Sequence, residues 1–357
     1  MKTHYSTITV FRYQNEGSQM KKNSCVLNIW ITETVKLLCY GIFFILLCLP
    51  ITVNAELTGR IAYSVRGFNE ELGKFDYNLQ MTTFTEDGDF KTRSLNHPGY
   101  YAVWSPEDDI LYFIQRVDTQ SHIFSININS PRQKTQLTTI GGTYRFLSIS
   151  PNGKKLAYNG YTEDQQQQEN QIWVMDLDTG VTEVVTAIPH FGRTFFFFGM
   201  SWGPLSKRLV FSLERPGGLE QLFLLDIETK EIEVLTEFNI DYYPVWTPDG
   251  QEILFRRWDR EFDTMHTINV DTRVITPLYD VDKNASMWSD WSFDSRSVIY
   301  SLWGSFYLYN LDVEKTEKLF EVDGGVFGIS WWKNEVLDVE PKQKLTTTWG
   351  DVKRTLR

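Results

Sequence analysis

A short segment of this sequence occurs six times, and this internal repeat limits the fold more than any other feature. Each copy places an apolar or aromatic residue at the end of a predicted strand, in most copies just before a turn; the marked residues are Trp104, Ile149, Trp202, Trp246, Trp291 and, in a degenerate last copy, Trp331. Successive copies are 45, 53, 44, 45 and 40 residues apart. Spacing of about 40 to 50 residues is typical of one β-propeller blade per repeat.

A second segment follows the first at a fixed distance. Its copies begin at His122, Gln171, Gln221, Met265 and Phe306, with a looser copy from Asn78. Each segment reads as a strand, a turn rich in Pro, Asp, Asn and Gly, and another strand, so each repeat predicts two β-hairpins. Six repeats of four strands fill nearly all of the chain after residue 55. The sequence therefore predicts an all-β fold, a six-bladed β-propeller.

The two ends of the repeated region complement each other. Residues 59–64 (GRIAYS) match the second strand of a repeat, and no first strand precedes them. Residues 326–331 match a first strand, and no clear second strand follows. We therefore expect both termini to share one closure blade, which removes the exposed strand edges that promote aggregation.

Two segments carry a family resemblance, WTPDG at 246–250 and IWVMDLDTG at 172–180. By them the chain resembles the TolB-like six-bladed β-propellers of the WD40-like, or PD40, repeat family. The resemblance covers residues 57 to 340 and implies the fold. We expect no counterpart of the α/β domain that precedes the propeller in TolB, so TolB's role in cell-envelope maintenance is not carried over to this chain.

Residues 1–55 predict a signal peptide or a membrane anchor, with Met20 as an alternative start. No charged residue lies between Lys36 and Glu56, and Val53 to Ala55 resembles a signal-peptidase site. If it is not cleaved, the apolar run 37–53 is close to the roughly 20 residues that span a bilayer and would tether the protein. We expect an extracytoplasmic protein, periplasmic or secreted, with its propeller at residues 56–340.

Cysteine content and net charge limit the disulfides and the classes of binding partner that are expected. The three cysteines, Cys25, Cys39 and Cys48, all lie in the leader, so no disulfide is expected in the mature chain. Residues 56–357 contain 30 basic and 44 acidic residues, a net charge of −14. Such a surface repels phosphate backbones, and we expect no nucleic-acid partner.

The segment GMSWG (199–203) matches the G-x-S-x-G motif of serine hydrolases. However, Ser201 stands in the same register as the end of a first strand in the other repeats, whereas the hydrolase motif needs a strand-to-helix turn. We interpret the match as coincidence and predict no catalytic residue.

Recurrent acidic residues raise the question of calcium, which prefers oxygen ligands. They occupy the same position in successive repeats: Asp176, Asp178, Asp226, Glu228, Asp271 and Asp312. Because Asp side chains before turns bond to nearby backbone amides, we interpret these residues as turn-forming.

His97 and His190 lie in linkers between blades without metal-ligand spacing. A metal site assembled across blades is the alternative to our prediction of no metal and no cofactor.

The predicted fold has two unlike faces. We call the end with the regular turns, such as 248–250 and 178–180, the turn face, and expect it to be purely structural. The opposite end, here the loop face, collects irregular segments rich in Tyr, Trp and Arg, which are enriched at interface hot spots. The predicted binding residues there are His97, Tyr100, Tyr144, Arg145, His190, Arg193, Tyr242, Tyr243, Arg257, Trp258 and Trp288.

Residues 341–357 form a basic tail in which Leu345, Trp349, Val352 and Leu356 step by three or four positions, as on one side of a helix. The tail either docks on the acidic propeller or contacts a partner or the envelope.

These observations predict a non-enzymatic binding scaffold that recognises a protein, peptide or glycan through the loop face. The alternative is a polysaccharide lyase or hydrolase with its site at the mouth of the central channel.

Overall fold

The computed structural model describes residues 59–69, 74–85, 89–162, 171–187, 197–215, 219–237, 239–258, 261–278 and 288–332. All regular secondary structure within these ranges is β-strand, 24 strands in total. The predicted all-β class is therefore confirmed. No helix among the described residues has the length and apolar character needed to cross a membrane. The predicted leader at 1–55 and tail at 341–357 lie outside the described ranges.

Four of the five sheets contain four antiparallel strands each. The first is built, from one edge to the other, from β24 (Gly325–Trp332), β1 (Gly59–Asn69), β2 (Lys74–Phe84) and β3 (Phe90–Pro98). The next two are β12 (Phe197–Trp202), β13 (Arg208–Arg215), β14 (Leu219–Asp226), β15 (Ile232–Val234), and β16 (Ile240–Trp246), β17 (Glu252–Trp258), β18 (Asp263–Asn269), β19 (Ile275–Pro277). The last is β20 (Ser289–Trp291), β21 (Ser297–Leu302), β22 (Ser305–Asn310), β23 (Lys315–Glu321).

The remaining sheet has eight strands. One half is β4 (Tyr100–Trp104), β5 (Ile110–Val117), β6 (Gln120–Asn127) and β7 (Lys134–Gln136), and the other is β8 (Gly142–Ile149), β9 (Lys155–Thr162), β10 (Gln171–Asp176) and β11 (Thr182–Ala187). A single residue pair, Ser121 with Gly142, joins the halves. We call each half, like each four-stranded sheet, a unit. The count of six blades depends on dividing the sheet at that pair and stays a prediction.

The first and last strands of the described chain pair as expected. Strand β1 lies antiparallel to β24, with Ile61 opposite Trp331 and Tyr63 opposite Ile329. The Arg60 guanidinium lies 4.0 Å from the Trp332 ring centroid and donates a 2.6 Å hydrogen bond to Asp109 in the next unit. Both termini of the described region therefore build one unit. The Arg60–Trp332 cation–π contact lies within this unit, and the Arg60–Asp109 ion pair links it to its neighbour.

Burial explains why these segments form strands. In β5 the run Leu111 to Ile114 is buried at every position, because the second strand of a unit is covered on both faces by neighbouring units. The second half of strand β6 instead alternates, with Phe124 and Ile126 buried, Ser125 partly exposed and Asn127 exposed. This is the pattern expected of a half-buried strand.

The turn-forming interpretation of the recurrent acidic residues holds for two of the six. Oδ1 of Asp176 accepts hydrogen bonds from the Thr179 amide and hydroxyl, both 2.8 Å. Oδ1 of Asp226 accepts from the amides of Glu228 and Thr229, and these bonds lower the pKa values of both carboxyls. In the other two turns the acceptors are Asn269 and Asn310, two residues before Asp271 and Asp312.

Candidate functional site

A cavity of about 550 Å³ lies where the first strands of the units meet. Residues of β4, β8, β12, β16, β20 and β24 line it, and we call these six the inner strands. The turns that follow them, including Pro106, Pro151, Pro204 and Pro248, form its outer rim. The cavity therefore opens on the turn face, which the sequence analysis treated as purely structural.

One position of each inner strand faces its counterparts around this cavity. These six residues are Val103, Ser148, Ser201, Val245, Asp290 and Ser330. All three serines accept a hydrogen bond from the backbone of the next unit: Ser330 from Trp104, Ser148 from Trp202 and Ser201 from Trp246, each 3.1 Å. Asp290 Oδ2 accepts from the Trp331 amide at 2.7 Å. These side chains link neighbouring units, and the bond accepted by Ser201 gives the serine of GMSWG a structural role.

This ring was not predicted, because the repeated tryptophans are the more prominent pattern in the sequence. The signal was available one position earlier in four of the six copies, where a small polar or acidic residue precedes Ile149, Trp202, Trp291 and Trp331. A polar residue that recurs at one position of the repeat, between apolar neighbours, indicates a buried polar group with a fixed hydrogen-bond partner.

Aromatic rings close the loop-face end of the same channel. The central aromatic cluster consists of Tyr101, Phe146, Tyr243, Trp288 and Phe327, which precede the cavity-lining residues in their strands. Ring centroids are 4.8 Å apart for Tyr243 and Trp288, and 5.9 Å for Phe146 and Trp288. Phe146 and Trp288 belong to units with two others between them, so the rings meet across the axis. The cluster separates the cavity from the loop face.

Backbone geometry places these rings. Tyr101, Phe146 and Tyr243 have φ values of 54°, 45° and 54°, and Gly199 and Gly328 occupy the corresponding positions with 98° and 67°. At each of these positions the strand register shifts. A β-bulge with a left-handed residue therefore recurs in the inner strands and turns each strand inward where the rings meet. This feature is costly for residues other than glycine, and no sequence pattern predicted it.

The predicted residues Tyr242 and Arg257 lie in a charged cluster on the loop-face side of β16 to β18. Arg257 donates two hydrogen bonds to Asp241, 2.7 and 2.8 Å long, and Asp241 is fully buried. Arg256, itself buried, pairs with Asp263, which also accepts a hydrogen bond from the Tyr242 hydroxyl. Burial raises the pKa of Tyr242, so its phenol remains a neutral donor.

Glu220 on β14 belongs to the same region and was not predicted. It lies directly opposite Glu214 in the strand pair. Burial, and then the charges of Glu214, Asp263 and Asp241, raise its pKa to about 7. Burial likewise raises the pKa of Tyr243 to about 12, with Glu220 among the further contributions. The cluster joins residues from two units, so no local pattern could have shown it.

The other predicted residues divide into buried and accessible ones. Tyr144 is 3% exposed and donates a 2.8 Å hydrogen bond to the Ile140 carbonyl. The Tyr100 hydroxyl is 2.9 Å from that of Ser121, and a ring nitrogen of His97 contacts the Pro131 carbonyl. Arg145 is partly exposed, and its charge acts on Tyr101 and Tyr243. Trp258 is 40% exposed. His190 and Arg193 lie outside the described residues.

An exposed aromatic patch lies at the loop face of two adjacent units, the one that contains β1 and β24 and the one that contains β20 to β23. Trp303 is 91% exposed, Phe68 57% and Phe75 55%, and the Arg66 guanidinium stacks 4.2 Å from the Phe75 ring centroid. A Cβ on Gly304 would lie 2.9 Å from the Gly324 carbonyl, and one on Gly324 would lie 2.6 Å from that of Arg66. These backbone contacts bring the turn that carries Trp303 and the strand that carries Arg66 into the same region of the loop face. We call Arg66, Phe68, Phe75 and Trp303 the aromatic patch.

The described residues contain no group of three or more His, Cys, Asp or Glu side chains arranged to hold a metal ion. The predicted alternative of a metal site involving His97 and His190 stays untested, since His190 is not described.

Comparison with known proteins agrees with this architecture. Residues 147–318 match the family model described as PD40, the TolB beta propeller domain. The fold is similar to that of TolB from Acinetobacter baumannii, with a TM-score of 0.63 and 18% identity over 87% of this chain and 75% of that one. It also resembles a chain in a nidogen/laminin complex (TM-score 0.56, 10% identity, 76% and 98% covered). A third relative in structure is an oligogalacturonate lyase in complex with manganese (TM-score 0.52, 12% identity, 75% and 82% covered). No protein of curated function matched the sequence.

The closed strand order and the shared central cavity define a β-propeller protein. Its segment 147–318 matches the family model of the TolB beta propeller domain (PD40), and the fold of the chain is similar to that of TolB.

Proposed function

We propose that this protein is an extracytoplasmic binding scaffold that captures a protein partner on its loop face. The observation that carries the proposal is the aromatic patch. Trp303 is 91% exposed, and exposed aromatic side chains collected with an arginine on one face mark a site of interaction with another molecule. These residue types dominate binding energy at interfaces because they combine a large rigid area with polar groups.

Three further features support a surface of contact over a reaction centre on this face. The central aromatic cluster fills the axis below it, with contacts such as 4.7 Å between the Tyr101 and Phe146 rings. Arg257 and Asp241 are engaged with each other through two hydrogen bonds. Structurally similar propellers include one solved in a nidogen/laminin complex. The proposed extracytoplasmic location derives from the leader predicted at 1–55.

The test uses the double variant Trp303→Ser/Phe75→Ser. Wild-type protein immobilised on beads and exposed to the extracytoplasmic extract of its host should retain a specific protein. The affinity of the purified partner should fall by about thirtyfold or more in the variant, as expected for loss of a hot spot. Leu205→Ser, at an exposed apolar residue on the turn face, serves as the matched control and should bind normally.

Equal capture by wild type and the double variant would refute the aromatic patch as the binding surface. The alternative, a polysaccharide lyase or hydrolase, predicts turnover in a panel of glycans, and a glycan that binds without turnover would change the class of partner. Thermal unfolding of the variants should match that of wild type, because the substituted side chains are exposed.

A further inference from the structure

The cavity on the turn face has no role in the proposed function. Its volume of about 550 Å³ falls within the range of roughly 300 to 1,000 Å³ that is typical of ligand pockets. Apolar side chains from several inner strands form much of its wall, including Leu147, Met200, Val245 and Ile329, and Leu205 and Phe293 lie at its rim. Such a wall suits an apolar side chain carried by a peptide.

Several buried donors line the same cavity. The indole N–H groups of Trp104, Trp246 and Trp332 have no hydrogen-bond partner within the described part of the chain. All three residues line the cavity, and Trp104 and Trp246 are 3% and 7% exposed. A buried donor without an acceptor is unfavourable. An occupant that offers hydroxyl or carbonyl oxygens beside an apolar group would therefore fit this wall.

The chain itself brings such a segment to the cavity. Strand β24 ends at Trp332, which is part of the cavity lining, and 25 residues follow it. The tail 341–357 contains three consecutive threonines directly before Trp349. Trp349 lies 17 positions after Trp332, a length of chain that can extend to about 55 Å. The tail can therefore reach any part of the rim.

Charge favours the same occupant. Residues 341–357 carry a net charge of +4, whereas residues 56–340 carry −18. The turns at the rim contribute Glu107, Asp108, Asp109, Asp249 and Asp294 against Lys154, Lys207 and Arg296. Attachment at the rim also gives the tail an effective concentration in the millimolar range.

We propose that the C-terminal tail of the same molecule binds in the turn-face cavity, with Trp349 as the anchor that enters it. This proposal does not depend on the loop-face function.

Hydrogen exchange of the full chain, read by mass spectrometry, tests it. Amides of the tail in wild type should exchange about tenfold or more slowly than in Trp349→Ala, because a bound segment is protected. Leu205→Lys should release the tail in the same way, since it places a cation and removes an apolar contact at the rim. Val117→Lys, at an exposed apolar residue on the loop face, is the matched control and should leave protection unchanged.

A second measurement adds a fluorescent peptide of residues 341–357 to the full-length proteins. Trp349→Ala should bind it, while wild type, whose cavity is occupied, and the double variant Trp349→Ala/Leu205→Lys should not. Tail amides that are unprotected in wild type would overturn the proposal. So would protection that survives Leu205→Lys, and so would protection that depends on protein concentration, which would place the tail in a second copy.

Discussion

The hydroxyl of Ser201 accepts a hydrogen bond from the backbone amide of Trp246, 3.1 Å away in the next unit. The residue that looks most like a nucleophile in the sequence is therefore part of the attachment between two units. A backbone amide in this position needs an acceptor, and only a short polar side chain at position 201 supplies one without filling the cavity.

We expect Ser201→Ala to lower the free energy of unfolding by about 1 to 3 kcal/mol, because it leaves the buried Trp246 amide without its partner. Urea denaturation measures this loss. Ser130→Ala, at an exposed serine in the turn after β6, is the control and should stay within about 0.5 kcal/mol of wild type. A variant as stable as wild type would show that this hydrogen bond contributes little to the free energy of unfolding.

Arg257→Ala should lower the free energy of unfolding far more than removal of an exposed arginine does. The substitution leaves the fully buried carboxylate of Asp241 without its ion-pair partner, and loss of one partner of a buried pair costs about 3 to 5 kcal/mol. Arg273→Ala breaks the exposed pair with Glu233 and should cost at most about 1 kcal/mol. Denaturant unfolding of both variants checks the difference, and similar losses would contradict it.

Glu220 should make stability depend on pH. Its pKa in the folded protein is raised from 4.5 to about 7, so the folded state binds more protons than the unfolded state between these values. Stability from this group is fully present below about pH 4.5 and is lost as pH rises through 7. The decrease in melting temperature between pH 5 and 8 should be smaller in Glu220→Gln than in wild type. An unchanged pH profile would exclude Glu220 as its source.

Gly199→Ala should destabilise the inner strand β12. Gly199 has a φ of 98°, and a Cβ there would lie 2.9 Å from the Cα of Tyr243. Strain of this kind costs about 1 to 3 kcal/mol. Gly67→Ala is the matched control, because nothing lies within 4 Å of a Cβ at that position. Thermal unfolding should separate the two variants clearly, and equal melting temperatures would argue against strain at Gly199.

The sequence predicted those parts of the fold that repeat. Trp104, Trp202, Trp246 and Trp291 marked the inner strands, and the half-repeat at 59–64 indicated the pairing of β1 with β24. Local periodicity carries this information because each unit reuses one arrangement of strands and turns.

The site depends on contacts that no single repeat contains. Phe146 meets Trp288 across the axis, Glu220 acquires its raised pKa partly from Asp263 in another unit, and the inward bulges require positive φ at tyrosine and phenylalanine. Such contacts follow from the closed arrangement of all units. For the same reason Tyr144 and Trp288, predicted as surface residues, are buried.

The pairing of Ile61 with Trp331 also constrains how the molecule is made. The free edge of β1 cannot be covered until a strand some 270 positions later has been synthesised. Contacts this distant in sequence form slowly, and through that interval a nascent chain presents an open strand to its neighbours. Loss of the last eight described residues would therefore leave the whole circle open and the newly made protein prone to association with other copies.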